Sequence, residues 1–117
     1  VIDLCAAADV PDGGALRVAI DGWDRAAASV VVVRDGDALR VYENICPHFG
    51  IPLDVGRGIK TFRKHVLCVN HYAVFRFDDG ACIEGPCLGA SLRPVASDVR
   101  EGRVRAVAEE PRESSPG

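Results

Sequence analysis

Two short stretches of this chain each hold a thiol and an imidazole within one turn: Cys46 and His48 in C-P-H, and Cys68 and His71 in C-V-N-H. Nineteen residues, Phe49 to Leu67, separate the two pairs, enough for two loops to meet at one point. The chain has only 3 histidines, so a repeated Cys-then-His order carries information. Two thiolates and two imidazoles suit a metal centre. They could take a tetrahedral Zn²⁺, or an iron–sulfur cluster whose irons divide the ligands between them. Zinc fingers usually keep cysteines in one pair and histidines in the other, so the mixed order favours the cluster and leaves zinc as the competitor.

Such loops need a rigid frame, and the intervening pattern is mostly strands. Ser29 to Val33 is β-branched, Asp35-Gly36-Asp37 supplies a turn, and Leu39 to Tyr42 alternates, which together read as a hairpin. Val74 to Phe77 and Ala81 to Ile83 read as a second hairpin across Asp78-Asp79-Gly80. Arg93 to Val99 and Arg103 to Val107 read as a third across Arg100-Glu101-Gly102. Leu16 to Ile20 is a further strand, and only Leu4 to Ala8 hints at helix. Closely spaced turn signals predict an all-β, antiparallel sandwich or barrel, with Cys46 and Cys68 each in a loop at a strand end.

The bulk composition agrees. The chain of 117 residues predicts one domain over 1–108, with 109–117 a flexible C-terminal tail ending in Ser-Ser-Pro-Gly. At 48% hydrophobic and net charge −3 it is an ordinary globular composition, unlike that of a nucleic-acid-binding or disordered chain. The longest apolar run, Ala26 to Val33, is too short to span a membrane. No secretory pattern opens the sequence, and five cysteines do not make an even disulfide set, so the expected compartment is the cytoplasm.

C-P-H-F-G at 46–50, C-V-N-H at 68–71, F-R-F-D-D-G at 75–80 and G-P at 85–86 resemble the Rieske ferredoxins, chiefly small bacterial ones and those serving ring-hydroxylating oxygenases. The resemblance covers about residues 29–107, and its specific part is the two ligand pairs. It implies a Rieske-like sandwich with two cluster-binding loops and a Gly-Pro loop, Gly85-Pro86, that shields a [2Fe–2S] cluster. It implies that Cys46 and Cys68 ligate one iron and His48 and His71 the other. Pro47 would stiffen the first loop, and Gly50 would keep its turn tight.

Departures from the family's high-potential members refine this expectation. Those proteins carry two additional cysteines that bridge the loops; here the positions are Ile51 and Asn70. They also carry a Ser and a Tyr whose hydroxyls bond cluster or cysteine sulfur; here these are Ala73 and Phe75. Fewer hydrogen bonds to sulfur leave the more negative, reduced form less stabilised, so a low potential is expected, roughly −150 to 0 mV. The resemblance thus implies an electron carrier with a reductase and a terminal oxidoreductase as partners, and no enzyme activity of its own. A permanently bound small subunit and a redox-sensing binding protein are the alternatives. With His48 and His71 committed, only His65 remains, too few for the two-histidine, one-carboxylate site of a catalytic iron.

The other notable residues have plainer readings. His65 is expected at the surface, at a strand start. Cys82 and Cys87 are expected to be small hydrophobes beside the cluster, although they could bridge. Trp23 would pack on a sheet edge. Phe49, Ile51, Pro52 and Leu88 would cover the cluster or form an apolar docking tip. Arg57 to His65 holds Arg57, Lys60, Arg63 and Lys64 and no acid, and reads either as a solvated loop or as a basic surface steering an acidic partner.

Overall fold

The computed structural model describes residues 2–20, 27–47, 53, 59–68, 73–85 and 88–107. Among the described residues, ten strands make three antiparallel sheets: β1 (Ile2–Ala6), β2 (Ala15–Ala19), β3 (Ser29–Asp35), β4 (Ala38–Glu43), β5 (Lys60–Phe62), β6 (His65–Leu67), β7 (Val74–Arg76), β8 (Cys82–Glu84), β9 (Ser97–Arg100) and β10 (Arg103–Ala106). The orders are β1-β10-β9, β2-β3-β4 and β5-β6-β7-β8. The all-β antiparallel architecture expected from the sequence is the one observed.

The run Val30-Val31-Val32-Val33 explains how the sheets stack. A strand with one solvated face alternates apolar with polar, whereas one covered on both faces is apolar throughout. All four valines are buried, and they divide by parity. Val31 and Val33 join one core with Tyr42, Leu53, Val66, Phe75, Phe77 and Leu92. Val30 and Val32 join a second with Leu4, Val10, Val41, Val95 and Val104. The β2-β3-β4 sheet is therefore a wall between the four-stranded sheet and the sheet holding both chain ends of the fold.

The three expected hairpins form, with shifted ends. Asp35 pairs with Ala38, leaving a two-residue Gly36-Asp37 turn whose first residue has φ 61. Arg100 pairs with Arg103, so the third turn is Glu101-Gly102 alone, with both residues at positive φ as a right-twisting hairpin demands. Ala96 O still accepts from Val107 N–H at 2.9 Å, whereas residues 93–95 do not pair with β10. They lie instead along β4, where Val95 N–H donates to Val41 O at 2.8 Å.

Two local expectations are corrected. Leu4 to Ala8 is not helical: Ile2–Ala6 is a strand on β10, and only Ala7–Asp9 makes a turn of 3-10 helix. So short a helix cannot offset its own nucleation, while a strand gains ladder bonds and buries Leu4 and Cys5. The basic segment is not all loop: Lys60–Phe62 pairs with His65–Leu67 as a hairpin. Its turn residues, Arg63 (φ 51) and Lys64 (φ 63), occupy the left-handed region without glycine or asparagine, so no turn signal marked it. Lys64 Nζ lies 2.7 Å from an Asp35 carboxylate oxygen, and the Arg63 guanidinium sits 5.2 Å above the Phe62 ring. The segment's positive charge is thus partly matched in place.

Candidate metal centre

The four-stranded sheet and the end of β4 position the candidate ligands. Cys46 follows β4 by three residues, and Cys68 directly follows β6. Both are fully buried and belong to the core cluster that contains Val66, Ala73, Phe75 and Leu92. The structure therefore brings the two thiols, distant in sequence, into one apolar interior. His48 and His71 lie outside the described residues, as do Phe49, Gly50, Ile51, Pro52, Arg57, Asn70, Pro86, Cys87, Trp23 and the tail 109–117. Among the described residues no set of three or more His, Cys, Asp or Glu side chains converges as a metal site.

Register explains the burial of the second loop's flanks. Successive strand residues face opposite sides, and Val66, Phe75 and Cys82 pair across β6, β7 and β8 on one inward row. That row forms an apolar floor next to Cys68. Cys68 N–H donates to Ala73 O at 2.8 Å, so the second ligand segment leaves and re-enters the sheet through a backbone bond. Cys82 is buried, and its Sγ lies 3.1 Å from Glu84 O, as a small apolar residue with a weak donor. Beyond it the chain turns at Gly85 (φ 98), and Leu88 N–H donates to Gly85 O at 3.2 Å. Leu88 follows at 68% exposure, so it faces water and not the core.

Tyr42 ties this sheet to the central wall. Its buried hydroxyl donates to Phe77 O at 2.7 Å, across 35 residues of chain. Burial pushes the phenol up to about 12. His65 is half-buried at the start of β6, and its Nδ1 lies 2.8 Å from Arg63 O. This places it in the hairpin turn, at the opposite end of β6 from Cys68. Burial likewise raises the Cys5 thiol, which lies in the second core on the other side of β3.

The donor set fits a thiolate-bound metal group. Two fully buried cysteines on separate segments, floored by Phe75 and Val66, would supply soft ligands in a dry environment. The molecule is thus an antiparallel β protein that buries two candidate ligand cysteines, Cys46 and Cys68, in one core cluster. More specifically, the chain belongs to the Rieske [2Fe-2S] domain family, whose model matches residues 1–108. The cofactor this implies is a Rieske-type [2Fe–2S] cluster.

Solved structures agree on the fold. A chain from the complex of reduced oxygenase and oxidized ferredoxin in carbazole 1,9a-dioxygenase is similar at 28% identity, TM-score 0.73, over 93% of this chain and 94% of its own. The ferredoxin of Sphingomonas yanoikuyae B1 is similar at 21% identity, TM-score 0.71, over 92% and 98%. The terminal oxygenase of carbazole 1,9a-dioxygenase from Novosphingobium sp. KA1 is similar at 17% identity and TM-score 0.72, with 92% of this chain matching only 30% of that one. A comparison with curated protein sequences finds no match. Among the described residues, no helix is long and apolar enough to cross a membrane.

Proposed function

We propose that this chain is a one-electron carrier whose Rieske [2Fe–2S] cluster is held by Cys46 and Cys68 on one iron and by His48 and His71 on the other. The observation that carries the reading is the burial of Cys46 and Cys68 in one cluster, in a chain whose family match spans residues 1–108. Likeness extends over 98% of the Sphingomonas yanoikuyae B1 ferredoxin but only 30% of the terminal oxygenase, which supports a carrier over an oxygenase domain. The bound cluster supplies reversible one-electron redox chemistry. The chain's own residues keep the site dry and fixed. Phe75, Val66 and Leu53 exclude water from the cysteine side, and the Cys68–Ala73 backbone bond limits the motion of the second loop.

In this reading the protein takes electrons from a reductase and delivers them to a terminal oxygenase or another oxidoreductase. It does no substrate chemistry. Residues 1–108 form a single domain, 109–117 are a tail, and the compartment is the reducing cytoplasm. Ala73 and Phe75 are fully buried and bring no hydroxyl to the site, which favours a low potential.

Two measurements test this. Dithionite-reduced protein should show the low average g value of a histidine-ligated [2Fe–2S] centre, below that of an all-cysteine one. A redox titration should give a midpoint in the lower part of the class range, roughly −150 to 0 mV. Colourless protein without acid-labile sulfide but with one bound zinc would refute the cluster. A clearly positive midpoint at neutral pH would refute the low potential.

A further inference from the structure

The two ligand-bearing segments are closed at their bases by different means. The second runs between paired strands β6 and β7, and the Cys68–Ala73 bond ends it as a continuation of the ladder. The first leaves β4 at Glu43, and among the described residues the next strand is β5 at Lys60. A buried side chain joins its two ends. Asn44 lies two residues before Cys46 and is 2% exposed. Its Oδ1 accepts from Leu53 N–H at 2.9 Å, and its Nδ2 donates to Ser29 Oγ at 3.0 Å. Ser29 and Leu53 are themselves buried.

The carboxamide therefore spans two structures of different rigidity. On one side is the first residue of β3, the central wall of the fold. On the other is the far end of the stretch that contains Cys46 and His48. The Asn44 backbone is fixed independently, since its N–H donates to Ser29 O at 3.0 Å and Glu43 N–H donates to Arg93 O at 2.9 Å. An asparagine carries one acceptor and two donors on a short arm, so it can bond as a strand's peptide group does. A buried side chain with the opposing polar atoms aligned is a specific device, because either partner left unmade would be stranded away from water.

We propose that Asn44 is a positioning residue for the first ligand loop. By clamping Leu53 to β3 it sets the span over which Cys46 and His48 are presented, and so governs retention and ligand geometry of the cluster. This inference rests on the ligand assignment made above. It concerns how firmly that site is held, which the ligand set alone does not decide.

The test compares Asn44→Leu, which keeps the shape and removes the acceptor and donors, with Val104→Ala, a truncation in the second core on the far side of β3. Purified, cluster-loaded proteins are reduced for EPR, and iron release to a chelator is timed. Loss of a supporting contact around a metal typically weakens retention roughly 10–100-fold, so N44L should release iron about that much faster than wild type. It should also show shifted or broadened g values, while V104A keeps the wild-type spectrum even if it melts as low. Wild-type g values in N44L, or release accelerated no more than in V104A, would overturn the proposal. If N44L does not fold, Asn44→Asp and Asn44→Ser replace it. Aspartate retains an acceptor for Leu53 N–H and should keep the wild-type spectrum, whereas serine is too short to reach and should not. Equal spectra for the two would overturn the inference. Wild-type protein lacking a Rieske signal would instead refute the functional reading, so the two failures are distinct.

Discussion

Replacing Gly80 by alanine tests how tightly the site's sheet is locked to the rest of the molecule. Gly80 ends the β7–β8 turn with φ 74, a region costly for a residue with a Cβ. Its N–H donates to Arg76 O at 3.0 Å, and its carbonyl accepts from Leu92 N–H at 2.8 Å, so its backbone is held from both sides. An added Cβ would lie 2.9 Å from Tyr42 Cε1, 3.2 Å from Leu92 Cβ and 3.3 Å from Leu92 O. None of these can retreat easily. The Tyr42 ring is 2% exposed with its hydroxyl engaged by Phe77 O, and Leu92 is 1% exposed. The left-handed conformation costs alanine about 1–2 kcal/mol. Overpacking adds roughly 1–3 kcal/mol, so G80A should lose about 2–5 kcal/mol in all.

Gly36 separates the two contributions. It also has positive φ, at 61, but a Cβ there would meet nothing within 4 Å. G36A should therefore show only the backbone part, about 1–2 kcal/mol. Thermal melts of the cluster-loaded proteins should differ by roughly 4 °C for each kcal/mol between them, with G80A the lower. Visible absorbance should be lost together with far-UV ellipticity or before it in G80A, since the displaced turn belongs to the sheet that leads into Cys68. If the two variants melt together, the steric argument at Tyr42 is wrong.

Three further outcomes are expected. Tyr42→Phe leaves Phe77 O without its donor and should cost about 1–2 kcal/mol in urea titration. Because the folded phenol is pushed up to about 12, the unfolded state ionises first. The Tyr42 contribution to stability should therefore be intact below pH ~10 and fall as pH rises from there towards the folded value, and Y42F should lack that part of the slope. At the acid end, hydrogen bonding to Arg103 lowers the Asp3 carboxyl and hydrogen bonding to Arg105 lowers that of Asp98. Their contribution is present above the unfolded carboxylate pKa of ~3.9 and is lost as pH falls through the depressed folded values, so the D3N/D98N double variant should lose less stability on acidification. Finally, Ala73→Ser and Phe75→Tyr should each raise the midpoint potential in a redox titration by offering a hydroxyl to sulfur; an unchanged potential in both would remove the basis for the low-potential reading.

Much was legible from local chemistry. The candidate ligand pairs are defined by spacing along a few residues, and hairpins such as β3–β4 and β7–β8 carry Asp-Gly turns between β-branched or alternating runs. The β5–β6 hairpin was not legible, because Arg63 and Lys64 take left-handed φ against their own preference. The first strand was not legible either: Leu4-Cys5-Ala6 becomes β only by pairing with β10, 100 residues away along the chain between Asp3 and Arg103.

The sequence alone determined the chemistry on offer, since donor type and short-range spacing are properties of a few consecutive residues. What only the tertiary structure decided was the environment of that chemistry. Val31 and Val33 face one core and Val30 and Val32 another, because β3 happens to be covered on both sides. Cys46 and Cys68 share a dry interior only because Phe75 and Tyr42 fold the small sheet onto that wall. Asn44 carries no motif, and its partners Ser29 and Leu53 lie 15 and 9 residues away. Burial and hydrogen-bond partners of this kind depend on which distant segments meet, and spacing along a chain does not encode that meeting locally.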